Sequence, residues 1–130
     1  MATKYLIVTE DANGVGTSGA TEVLGYTTGV GAAVTQGTNR TTGVTINAAC
    51  GAITLISAAG SATPASFTVT NSFVTATDVI LVNQKSGTDL YEIHVTAVGA
   101  GSFRITSFTT GGTTTEQPVF NFAVVKAVAA

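Results

Sequence analysis

The stretch "SFTVTNSFVTATDVILVNQ", residues 66–84, contains two kinds of β-strand pattern in succession. In its first part Phe67 and Val69 alternate with threonines, and a period of two places the apolar side chains on one face of a half-buried strand. In its last part residues 79–82, VILV, are apolar on both faces. Such a run indicates a strand that is central in its sheet or is covered by a second chain.

The same patterns recur along the chain, separated by Gly, Ser, Asn and Pro at intervals of roughly 10 to 12 residues. Even spacing and turn residues favour an all-β fold, and we predict an antiparallel β-sandwich with jelly-roll or Greek-key connections. The predicted strands are 4–9, 33–36, 43–47, 52–56, 66–70, 79–84, 91–97, 103–108 and 119–128.

The composition agrees with this class and adds a hypothesis about the surface. Charged residues make up 9% of the 130 residues, against about 25% in an ordinary domain. Apolar residues make up 45%, so much of the surface must be neutral. Because charge normally keeps a small protein monomeric, its scarcity indicates that part of the surface is buried in an assembly.

Residues 1–29 differ from the rest, and we predict an extended N-terminal arm with a glycine-rich linker, followed by a sandwich domain over residues 30–130. The arm contains one strongly apolar strand, Tyr5-Leu6-Ile7-Val8. This strand has two plausible uses: it completes its own sheet, or it adds to the sheet edge of a neighbouring chain. If the second holds, deletion of residues 1–12 leaves residues 30–130 folded and weakens assembly.

The linker sequence GVGTSG, residues 14–19, matches the dinucleotide-binding pattern G-x-G-x-x-G. That site needs a strand running directly into the first glycine and a helix opening at the last. Five polar or small residues separate Val8 from Gly14, and further glycines interrupt any helix after Gly19. We therefore expect no nucleotide and no other cofactor.

Charge distribution excludes two classes of partner. The net charge is −2, and the five basic residues are scattered along the chain, whereas nucleic-acid binding requires a basic cluster. No run approaches the roughly 18 apolar residues of a membrane span, and a secretion signal is not recognisable. We expect a product made in the cytoplasm that binds neither nucleic acid nor membrane.

No catalytic or metal-binding set can be nominated. His94 is the single histidine, and its neighbour Glu92 predicts a solvent-facing polar pair on a strand. Asp89 follows a turn, where charge usually means solvation. Cys50 lies in an apolar setting and is predicted to be a small buried residue. We therefore interpret the chain as a non-enzyme without a metal.

Arg40 is the one basic residue between Lys4 and Lys85, in the polar loop "TQGTNRTTG". Two interpretations stay open: Arg40 is solvated, or it makes a bidentate contact with a carboxylate of a neighbouring subunit. In the second case its replacement weakens assembly without affecting folding of the monomer.

Four stretches resemble a domain of tailed-bacteriophage virion proteins, which include head-decoration (cement) proteins and tail-fibre modules. They are "VTQGTNRTTGVTIN" (34–47), "GAITL" (51–55), "SFTVTNSFVTATDVILVN" (66–83) and "FNFAVVKAV" (120–128). The resemblance covers residues 30–128 and excludes the arm. It implies a non-enzymatic structural protein of the virion, with a β-sandwich fold and a homotrimeric state.

Because the domain stands nearly alone, we favour a capsid decoration protein that binds the major capsid protein at the outer surface of the head and stabilises it. The alternative is a tail-fibre or receptor/glycan-binding module of the particle. A glycan site would use exposed aromatic rings, and Tyr26, Phe73 and Tyr91 are the candidates.

Overall fold

A computed structural model describes residues 15–18, 23–26 and 29–129, and within them the fold is all-β. These residues form twelve strands. The strands are β1 (Val15–Ser18), β2 (Val23–Tyr26), β3 (Gly31–Thr35), β4 (Val44–Thr45), β5 (Cys50–Thr54), β6 (Ala58–Ala59), β7 (Ala65–Thr70), β8 (Val79–Ser86), β9 (Tyr91–Gly99), β10 (Ser102–Thr109), β11 (Thr115–Glu116) and β12 (Val119–Val125).

Eight of these strands make up two four-stranded sheets that pack on each other. Sheet I has the order β3-β5-β12-β8, and sheet II has the order β4-β7-β10-β9. Two short ladders, β1-β2 and β11-β6, lie outside them. The predicted all-β sandwich is thereby confirmed, and each of the eight strands predicted after residue 30 occurs.

The sheets are mixed and not purely antiparallel. In sheet I the edge strand β3 runs parallel to β5, and in sheet II the edge strand β4 runs parallel to β7. The remaining pairs in both sheets are antiparallel. A period-two pattern cannot distinguish the two directions, because side chains alternate between faces in both.

The core lies between the two sheets and follows the predicted alternation. Phe67 and Val69 of β7 are buried, and Phe120, Phe122 and Val124 of β12 meet them from sheet I. Phe103 of β10 packs on Phe122, with ring centroids 5.4 Å apart. The other large buried apolar residues are Val44, Ile46, Ile53, Leu55, Val74, Ile80, Tyr91 and Ile105.

The hairpin between β9 and β10 shows how turn residues set the register. Gly99 pairs with Ser102, which leaves a two-residue turn. Gly101 has a φ of 79° in this turn, a left-handed conformation that a glycine adopts without a steric cost.

The VILV run and β12 occupy different positions in sheet I. β12 lies between β5 and β8 and is a central strand, and all of its residues except Asn121 are apolar. β8, which contains the VILV run, is an edge strand of sheet I. Among the described strands VILV is therefore at an edge and not in a central position, and its covering by a second chain stays a prediction.

The segment predicted as a linker contains regular structure. Val15–Ser18 and Val23–Tyr26 form an antiparallel ladder, in which Val15 pairs with Tyr26. The hydrogen bonds of this ladder join main-chain groups and require no particular side chains. The glycine-rich sequence of the segment therefore gave no sign of the pairing. The arm strand Tyr5-Leu6-Ile7-Val8 lies outside the described residues.

Candidate functional site

Arg40 binds groups of its own chain. Its Nη2 donates hydrogen bonds to the carbonyl oxygens of Ala58 (2.8 Å) and Glu116 (2.9 Å). Its Nη1 lies 3.4 Å from the hydroxyl of Tyr91, and the guanidinium carbon is 5.9 Å from the centre of that ring. The loop that carries Arg40 is thereby fastened to β6, β11 and β9.

These contacts correct the view of Arg40 as a solvated side chain. Nη2 alone donates to two carbonyl oxygens while Nη1 reaches the Tyr91 hydroxyl, so one guanidinium group connects three strands. A contact with a carboxylate of a neighbouring subunit stays a prediction.

Glu116 is the centre of a polar network that the sequence did not suggest. Its Oε1 accepts hydrogen bonds from the backbone N–H of Asp89 (2.9 Å) and the hydroxyl of Tyr91 (3.3 Å), and its Oε2 accepts one from the N–H of Thr88. Burial by itself raises the pKa of Glu116, but the N–H donors of Thr88 and Asp89 outweigh it, so the pKa lies below its ordinary value.

Asp89 is buried, contrary to the expectation that it is solvated. Its Oδ2 accepts a hydrogen bond of 2.8 Å from the N–H of Thr114, and its carbonyl accepts one from Gln84 Nε2 at the same distance. Glycines make room for it: a Cβ added at Gly112 would lie 2.1 Å from the Asp89 Cγ, and one at Gly60 would lie 2.5 Å from Oδ2. Asp89 and Glu116 thus join the loops at one end of the sandwich.

A groove of about 520 Å³ opens beside Arg40. Ser61, Thr63, Ser107 and the half-buried Phe108 are among the residues that line it. Tyr91 also borders the groove but is 8% exposed and packs edge-on against Phe120, with centroids 5.6 Å apart. Tyr91 is therefore part of the core and does not offer an exposed face for stacking on a sugar.

The other two aromatic candidates for a glycan site are partly buried. The hydroxyl of Tyr26 donates a hydrogen bond to the carbonyl of Val124. Phe73 lies in the loop before β8, and its carbonyl accepts a hydrogen bond from Lys126.

The outer face of sheet I is neutral and apolar. Its most exposed large side chains are Val79 and Leu81 of β8 and Val125 of β12, with 51%, 57% and 45% of their surface exposed. Val125 pairs with Val79, and Ala123 pairs with Leu81, so these side chains are neighbours. We call Val79, Leu81, Ala123 and Val125 the apolar corner.

Small residues extend the apolar corner across the sheet. The row through Leu81 continues over Ala123 to Cys50 and Gly31, and the next row contains Asn83, Asn121, Ala52 and Ala33. A shallow groove of about 760 Å³ follows these rows. Lys85 is the one charged side chain among the described residues that line this groove. A partner that binds here therefore removes little charge from water, and the free-energy cost of desolvation is small.

Cys50 lies on this outer face and is half-buried, where full burial was predicted. Burial raises the pKa of its thiol. Gly51 and Ile53 instead face inward from β5. Because side chains alternate between the two faces of a strand, the register of β5 fixes which residues face the core.

The outer face of sheet II is polar by comparison. Arg104 Nε donates to the hydroxyl of Thr96 at 2.9 Å, and the hydroxyls of Ser66 and Thr106 are 2.8 Å apart. His94 and Glu92 lie on the same face, with 58% and 49% of their side chains exposed and their Nε2 and Oε2 atoms 3.9 Å apart. The two faces of the sandwich thus differ in chemistry, a difference that composition alone did not predict.

Within the described ranges, no group of three or more His, Cys, Asp or Glu side chains is placed to hold a metal ion. The same residues contain no helix that is long and apolar enough to cross a membrane.

Known proteins offer no match for this arrangement. No family model matches the chain, and neither a curated protein nor a solved structure is similar to it. Any functional argument therefore starts from the chemistry of the surfaces described above.

Proposed function

We propose that this chain is a non-enzymatic structural protein that assembles through the outer face of sheet I. The observation that carries the proposal is the apolar corner. Leu81, the most exposed member, keeps 57% of its surface in contact with solvent. An exposed cluster of large apolar side chains is typical of a surface that binds another protein.

We further propose the particular role of a capsid decoration (cement) protein, located on the virion, that binds the major capsid protein and associates as a homotrimer. This part rests on the resemblance of residues 30–128 to phage virion domains. The neutral face of sheet I supports it, because a cement protein must bury a large surface against its neighbours. Burial of apolar surface gains roughly 25 cal/mol per Å².

The test is binding of the purified chain to particles assembled from a major capsid protein. We expect the chain to co-sediment with the particles and Leu81→Lys to weaken binding at least about tenfold, since a buried, unpaired ammonium group is costly. The matched control is Thr96→Lys on the polar face of sheet II, which we expect to bind like the original chain. Absence of binding by the original chain would refute the decoration role.

The groove beside Arg40 favours a second candidate, a tail-fibre or receptor/glycan-binding module. Its hydroxyl-lined wall and the ring of Phe108 are groups that contact carbohydrates. Binding of the chain to polysaccharide from host cells, abolished by Phe108→Ala and unaffected by Leu81→Lys, would support this candidate over the first.

A further inference from the structure

The free edge of sheet I lies beside the apolar corner. Among the described strands β8 pairs with β12 alone, so the main-chain groups on its other side have no ladder partner. β8 is eight residues long, and its exposed positions include Val79 and Leu81. A long edge strand with exposed apolar side chains is a template for another strand.

The chain that precedes β1 starts near the same corner. Val15 pairs with Tyr26, the hydroxyl of Tyr26 binds the carbonyl of Val124, and Val125 pairs with Val79. From Val8 to Val15 the chain spans up to roughly 23 Å when extended. This length is sufficient for a segment ending at Val8 to extend past the apolar corner to an adjoining molecule.

We propose that Tyr5-Leu6-Ile7-Val8 of one copy adds as a strand to the β8 edge of a second copy, with alternate side chains on Val79 and Leu81. The segment is uncharged and apolar, as is the first half of the β8 edge, residues 79–82. The inference rests on the proposed self-association and names the contact that produces it.

The arm-to-edge contact also accounts for a closed oligomer. It joins two different surfaces, since each copy donates one arm and accepts another. Such a heterologous contact forms a ring when its rotation closes, whereas a self-complementary contact gives a dimer. Main-chain hydrogen bonds supply the affinity, and pockets for alternate side chains supply the register.

A mixing experiment with single-cysteine chains tests the contact. In a Cys50→Ser background, which removes the one native cysteine, one chain carries Leu6→Cys or Ile7→Cys and a chain of different mass carries Leu81→Cys. We expect oxidation to give a mixed disulfide at least about tenfold more readily than with Thr96→Cys on sheet II, because docking raises the local thiol concentration.

Hydrogen exchange on the full chain provides a second measurement. We expect amides of β8 to be protected in the assembled chain, and Ile7→Pro to lower that protection at least about tenfold, because proline removes a ladder donor. Because β9 is paired, Thr96→Pro is unsuitable as a control. The control is Thr9→Pro, at a position beyond the docked segment, and we expect this variant to keep the protection of the β8 amides.

The outcomes separate this inference from the proposed function. A chain that carries both an arm cysteine and Leu81→Cys tests for pairing within one copy. A cross-link found only within such single chains, or none from either arm position, overturns the contact between copies. If light scattering then still shows an oligomer, self-association stands and this contact is wrong. A monomer at micromolar concentration without cross-links refutes both.

Discussion

Lys126 and Asp78 form an ion pair that fastens the end of β12 to the loop before β8. The Nζ and Oδ2 atoms are 2.7 Å apart, and the Asp78 side chain is 1% exposed. Thr75 donates to the same carboxylate, through its N–H to Oδ2 (2.8 Å) and its hydroxyl to Oδ1 (2.9 Å). One buried carboxylate therefore holds two segments beside the apolar corner.

The Asp78 carboxylate predicts acid sensitivity. Burial by itself raises its pKa, but the hydrogen bonds from Lys126 and Thr75 outweigh this and lower the pKa from 3.8 to about 2. A lowered pKa stabilises the fold above the ordinary pKa, and this stabilisation is lost as the pH falls from about 4 to 2. The lowered pKa of Glu116 acts in the same direction.

We expect Asp78→Asn to reduce the fall in melting temperature between pH 5 and 2, measured by circular dichroism. The slope of melting temperature against pH does not vanish in this variant, since Glu116 still titrates. Glu92→Gln, which removes a half-exposed carboxylate, is the control and is expected to leave the slope unchanged. An identical slope in Asp78→Asn would contradict the assignment.

Replacement of Arg40 tests its role within the chain. We expect Arg40→Ala to lower the free energy of unfolding by about 1–3 kcal/mol, because the carbonyls of Ala58 and Glu116 lose their donor. Urea denaturation measures the change. Arg104→Ala, on the exposed face of sheet II, is expected to cost less. Normal stability of Arg40→Ala with impaired assembly would instead support the predicted contact between Arg40 and a carboxylate of a neighbouring subunit.

Packing around Asp89 makes Gly112 a sensitive position. A Cβ there would lie 2.1 Å from the Asp89 Cγ, so Gly112→Ala is expected to destabilise the fold by about 1–3 kcal/mol. At Gly99 no atom lies within 4 Å of an added Cβ. Gly99→Ala is therefore the matched control. Equal melting temperatures for the two variants would show that the loops around Asp89 shift to accommodate the added methyl group without a loss of stability.

His94 tests the non-enzymatic interpretation. Its side chain is 58% exposed, and its ring lies 6.4 Å from that of Phe108. We expect His94→Ala to change the free energy of unfolding by less than about 0.5 kcal/mol and to leave particle binding intact. Loss of function at unchanged stability and assembly would show that the imidazole has a chemical role.

The sequence by itself determined the eight strands of the two main sheets and the inward-facing residues of β7. Phe67 and Val69 are buried where the alternation placed them, because a period of two leaves one face for the core. Local pattern was sufficient for this, since it depends only on residues two positions apart.

Only the tertiary structure decided which strands are edges and which polar groups are buried. The VILV run is apolar on both faces in either position, and pairing partners 40 residues away place β8 at the edge. Asp89 and Glu116 are 27 residues apart, and Arg40 and Tyr91 are 51 apart, so no local pattern connects them. The burial of Asp89 depends on hydrogen bonds that exist once the loops have met, because an unpaired buried charge would be too costly to retain.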